Sequence, residues 1–112
     1  MTDKQNSQAL NEFLQLIDNI YKRPGMYLPT YPTLDHLCCF ITGYNIGKDL
    51  SFFDNYDFIT WLATKHGLSN SHHWVGLMNY IYFTQEEAFL QFPKVLKEYL
   101  YEKGLIDETV IV

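Results

Sequence analysis

Cysteine is almost missing from this 112-residue chain: there are two, Cys38 and Cys39, side by side. Adjacent cysteines do not make the spaced framework that staples small secreted domains. No C-x-x-C or H-E-x-x-H pattern gathers zinc ligands, and the four histidines (His36, His66, His72, His73) have no ligand spacing. No metal and no cofactor is expected. Glycine and proline, six and four residues, are too few for a linker or a low-complexity tract. No apolar run reaches the ~18–20 residues of a membrane span, so no membrane partner is expected. The polar stretch Met1 to Asn6 lacks the apolar core of a signal peptide, which points to the cytoplasm. Positive charge is also scarce, with eight Lys+Arg against thirteen Asp+Glu and a net charge of −5. Only Lys22 and Arg23 are adjacent. Proteins that grip phosphate backbones gather basic residues on one face, so direct nucleic-acid binding is not expected, whereas a basic protein partner is.

What the chain has instead is rings. Nine Tyr, eight Phe and two Trp make it 17% aromatic, within a 47% apolar composition. Each ring can bury about 150–250 Å², so even a short chain can form a dense core. Its length suits one domain spanning residues 1–112, expected as a monomer.

The apolar spacing is helical. Leu10, Phe13, Leu14, Ile17, Ile20 and Tyr21 step by three and four, with Ser7 as the expected cap and Pro24-Gly25 as the stop. Residues 24–32, with Pro24, Gly25, Pro29 and Pro32, form an irregular connection in which Gly25 supplies an unusual backbone angle and Met26 and Tyr27 pack back. Thr33 caps a second helix whose inner face holds Leu34, Leu37, Cys38, Ile41 and Tyr44; the cysteines are read as small core residues. Gly43 and Gly47 weaken that helix and offer room for close packing. A third helix covers about residues 55–66, with Phe58, Ile59, Leu62 and Ala63 inward and Gly67 ending it.

Ser69-Asn70-Ser71 reads as the start of a fourth helix bearing Trp74, Val75, Met78, Ile81 and Tyr82. Tyr80 to Phe83 also suits a strand. Thr84-Gln85-Glu86-Glu87 matches a capping box for a fifth helix with Phe89, Phe92, Leu96, Tyr99 and Leu100, which Pro93 should kink or divide. Gly104 ends it, and Glu108 to Val112 suits a docked tail or an added strand. The expected fold is an all-α bundle of about five helices.

No serine, cysteine or acid sits in a recognisable nucleophile motif, so no catalytic residues are assigned and the chain is read as a non-enzyme. The carboxylates are more informative as a surface. Between Pro24 and Thr64 one lysine faces four aspartates, a subtotal of −3. The stretch Asp49 to Asp57 mixes acids with rings, and Glu86-Glu87 adds a second acidic pair. Acids steer a cationic partner and rings anchor it. Asp49, Asp54, Tyr56, Asp57, Glu86 and Glu87 are therefore the candidate contacts for a protein partner.

Two resemblances bear on that partner. Lys22-Arg23-Pro24-Gly25-Met26-Tyr27-Leu28 resembles a turn in the ATPase domain of type II topoisomerases, over about ten residues. The acid-plus-asparagine helix and glycine-rich lids that family uses for Mg-ATP have no counterpart here, so ATP binding is not inferred. The second spans most of the chain: a helix ending in Arg23 to Leu28, then Leu34, Phe40-Ile41-x-Gly43-Tyr44, Phe58-x-x-Trp61-Leu62, a serine-flanked Trp74, and Glu86-Glu87-Ala88-Phe89-x-x-Phe92. This order resembles small bacterial immunity proteins encoded beside polymorphic toxins, including those of contact-dependent growth inhibition. The resemblance implies a cytoplasmic, acidic, helical protein that binds a cognate toxin's C-terminal domain, often a nuclease, and occludes its active site or substrate surface. A regulatory or adaptor module with another protein partner is the alternative reading.

Overall fold

The apolar stripes become helices. A computed structural model describes residues 3–28, 32–48 and 55–107. It comprises α1 (Asp3–Lys22), a 3₁₀ turn (Pro24–Met26), α2 (Leu34–Lys48), α3 (Asn55–His66), α4 (Trp74–Ile81) and α5 (Gln85–Glu102). No strand occurs among the described residues; the fold is all-α. Tyr80 and Ile81 complete α4, and Tyr82 leaves it in an extended conformation. The tail at 108–112 lies outside the described residues. The chain divides into two compact units, Met1–Phe52 and Phe53–Val112.

In the first unit α1 buries Leu10, Phe13, Leu14, Ile17 and Ile20, the face expected from their spacing. Burial pushes the Tyr21 phenol pKa far up. Ser7 is not the cap, because α1 already runs from Asp3 and includes it. Pro24 ends α1 as expected, and its carbonyl accepts the amides of Tyr27 (3.1 Å) and Leu28 (2.8 Å). Gly25, by contrast, has no left-handed backbone; the positive φ angles belong to Gly67 and Gly104. Met26 points to solvent, and Tyr27 meets Phe40 edge-on at 6.2 Å.

Thr33 caps α2 through Oγ1, which accepts the His36 amide at 3.5 Å. The helix buries Leu34, Leu37 and Ile41. Cys38 is only half-buried and Cys39 is exposed, so the cysteines are not core residues. Adjacent helical positions point about 100° apart, and the core takes only the edge of this pair. Gly43 and Gly47 admit no close neighbour either: a Cβ on either would meet nothing within 4 Å.

The second unit is built on rings. Trp74 lies at its centre, stacked on Phe92 at 4.9 Å and edge-on to Phe58 at 5.7 Å. Phe58 also meets Tyr99 at 5.1 Å. Such pairs contribute about 0.5–1.5 kcal/mol beyond their area burial. Helix α3 ends in a Schellman closure: Leu68 N donates to Ala63 O (2.8 Å), Gly67 N to Thr64 O (3.3 Å), and Gly67 has φ +67°. Helix α5 ends the same way, with Leu105 N on Leu100 O (2.9 Å) and Gly104 at φ +75°.

Helix α4 starts later than its serine cluster suggested. Ser69 and Ser71 bond each other at 2.9 Å, and the cap is His73, whose Nδ1 accepts the Val75 amide at 3.2 Å. At α5 the Thr84 half of the expected box forms, with Oγ1 accepting the Glu87 amide at 3.0 Å. The Glu87 carboxylate accepts Gln91 Nε2 at 3.0 Å. Pro93 does not divide α5, which runs unbroken to Glu102. An interior proline costs about 3 kcal/mol, and burial of Phe89 and Phe92 before it and Val95, Leu96, Tyr99 and Leu100 after it outweighs that cost.

Candidate protein-docking surface

The expected contacts fall into two groups and a remainder. Asp49 and Asp54 lie outside the described residues. Tyr56 and Asp57 occupy the first turn of α3, and Glu86 and Glu87 the first turn of α5. Asp57 accepts hydrogen bonds from Tyr99 Oη at 2.6 Å and Lys103 Nζ at 3.2 Å, near the far end of α5. An α-helix rises about 1.5 Å per residue, so the two groups sit about 20 Å apart along α5.

At the Asp57 end charge is already matched. Tyr99 and Lys103 donate to the Asp57 carboxylate and hold its pKa below the usual carboxylate value. Lys65 lies over the Trp61 ring at 4.9 Å and pairs with Glu98 (3.2 Å) and Glu102 (3.4 Å). Burial opposes its charge, yet Glu98 and Glu102 hold its pKa above the usual lysine value. A shallow groove of about 410 Å³ runs between these residues. Tyr56, next to Asp57 in sequence, is 72% exposed. The side chains here serve one another and latch α3 to α5.

The α4–α5 corner is the opposite case. Among the described residues no lysine or arginine pairs with Glu86 or Glu87, and both are exposed. Burial, and then the carboxylates of Glu98 and Glu87, push the Tyr82 phenol pKa above its ordinary value. Three apolar side chains crowd this stretch of sequence in the open: Tyr80 is 76% exposed, Leu90 57%, and Phe83 is entirely exposed. Phe83 directly precedes the Thr84 cap, a position from which an apolar residue usually packs onto the fourth helical residue. Here that residue, Ala88, is buried and Phe83 still projects into water. Folding gives Phe83 no role. Leu90 lies one turn beyond Glu86 on the same helix face.

Phe83, Tyr80 and Leu90 were not among the residues singled out from the sequence. The signal was nonetheless present, because Tyr80 and Phe83 fall off the Trp74–Val75–Met78–Ile81–Tyr82 stripe.

Beside the corner, α4 opens onto a cleft of about 340 Å³ lined by Leu68, Ser69, His72, Gly76, Leu77 and Tyr80. Among the described residues no group of three or more His, Cys, Asp or Glu side chains converges as a metal site, and no helix is long and apolar enough to cross a membrane. No family model, curated protein sequence or solved structure matches the chain.

Proposed function

We propose that this protein is a non-catalytic immunity protein that binds a cognate bacterial toxin domain, one whose own surface is cationic, and occludes it. The observation that carries this reading is the α4–α5 corner: a fully exposed Phe83 and a largely exposed Tyr80 beside two carboxylates, Glu86 and Glu87, that no cation of the described chain neutralises. An exposed ring with no folding role is a candidate hot spot, and adjacent carboxylates steer a basic partner. A nuclease is cationic where it meets phosphates, so an acidic, ring-bearing surface suits its inhibitor. The motif order, which resembles that of immunity proteins, is in keeping with the same partner class.

The test is binding to the toxin domain encoded immediately upstream, measured by calorimetry alongside that domain's activity. Wild-type protein should bind one-to-one and silence it. Phe83→Ala should weaken binding by about tenfold or more while leaving Tm unchanged, since the ring is outside the core. Glu86→Gln with Glu87→Gln should slow association and flatten its salt dependence. A complex that ignores all three substitutions places the interface elsewhere. Absence of a complex refutes the immunity reading and favours an adaptor with a different partner.

A further inference from the structure

We infer that the cleft lined by Gly76 seats one apolar side chain, flanked by Lys or Arg, from the cationic protein that docks on the α4–α5 corner; this rests on the proposed immunity reading and specifies its anchor. The fold does not ask for a glycine at position 76. Gly76 lies inside an eight-residue helix, its φ is not positive, and a Cβ placed there would meet nothing within 4 Å. A helix-interior glycine is destabilising relative to alanine, most keenly in so short a helix. What the missing side chain leaves is space: with Leu77 and Leu68 it forms the apolar lining of the cleft, and Ser69 and His72 add polar groups.

A cavity of about 150 Å³ already accommodates a benzene, so about 340 Å³ takes any single apolar side chain. Tyr80, one turn after Gly76, lines the cleft, and Phe83 and the Glu86-Glu87 pair follow it within seven residues of sequence. Charge identifies the occupant. Residues 53–112 hold eight carboxylates against four lysines, a net −4, and Lys65 and Lys103 are already paired with Glu98, Glu102 and Asp57. The cleft's own lining holds no carboxylate; Glu86 and Glu87, six and seven residues beyond Tyr80, are the exposed acids that favour basic residues beside the anchor.

Gly76→Leu tests this directly, because it fills the cleft with a better helix former. Its Tm should equal or exceed wild type, while affinity for the upstream-encoded toxin domain falls by about 30-fold or more. Gly76→Ala adds only a methyl group and should bind within about threefold of wild type. Tyr80→Ala removes an exposed wall and should lose about tenfold, which decides the matter if Gly76→Leu melts early. If Gly76→Leu folds, or Tyr80→Ala stands in for it, and binding is unchanged while Phe83→Ala weakens it, the seat is refuted and the docking corner survives. If wild-type protein does not bind that domain, the seat and the immunity reading fall together.

Discussion

Residues 1–52 and residues 53–112 are both helical units, yet they secure their helices by different means. The first has long helices of 20 and 15 residues with aliphatic stripes, a Thr33 cap on α2 and, among the described residues, ring contacts such as Phe13 on Tyr44 at 5.9 Å. Its glycines sit in turns or helix interiors without a left-handed backbone. The second has helices of 12 and 8 residues before the 18-residue α5. Helices that short are marginal alone, and here each receives outside help: glycine closures after α3 and α5, side-chain caps from His73 and Thr84, and the ring cluster around Trp74. Charge divides the same way, near neutral (−1) in the first unit and −4 in the second. Short helices are affordable where caps and rings replace length, and the same arrangement leaves a corner whose exposed side chains are free for a partner.

The largest break in that comparison should come from the rings. Trp74→Ala removes a fully buried side chain touching Phe58 and Phe92 and should destabilise by about 3–5 kcal/mol. Phe13→Ala in the first unit also empties a buried site, but removes a smaller ring. Urea denaturation should find Trp74→Ala worse by about 1 kcal/mol. An equal loss would mean that the ring cluster adds nothing beyond buried area.

Glycine sharpens the contrast because the left-handed closures of the second unit should resist a substitution that a helix-interior glycine of the first accepts. Gly67→Ala forces an L-residue to φ +67° and should cost about 1–2 kcal/mol. Gly43→Ala, inside α2 with open space for its Cβ, should stabilise by about 0.5–1 kcal/mol. Thermal melts of the two variants check this; a loss at Gly43 would show that α2 uses that gap.

The features visible in the sequence were those settled within a few residues. The stripes of α1 and α5, the Thr33 and Thr84 caps and the Gly67 and Gly104 stops each follow from local spacing. What escaped depended on distant groups or on competition between neighbours. His73 caps α4 in place of Ser69-Asn70-Ser71, and burial on both sides of Pro93 carries α5 through it. In the candidate surface, exposure of Glu86 and Glu87 was legible because helix-start acids face water. The engagement of Asp57 was not, since its partners Tyr99 and Lys103 lie more than forty residues away. Phe83 became conspicuous only when its exposure was known.

The smallest expected effect concerns that same Asp57 contact. Tyr99 and Lys103 hold the folded-state pKa of Asp57 below the ordinary carboxylate value, so the unfolded chain takes up the proton first. The resulting stabilisation is fully present above the unfolded pKa, about 3.9, and is lost as pH falls through the lower folded value. Because the carboxylate is half-exposed, solvent screens it and the contribution is modest. Asp57→Asn keeps an acceptor for Tyr99 Oη but cannot titrate. Its Tm should therefore start slightly below wild type at pH 7 and fall less steeply below about pH 4. Parallel pH profiles would show that the Asp57 contact adds no measurable stability and that ring packing and the Lys65 pairs with Glu98 and Glu102 join α3 to α5.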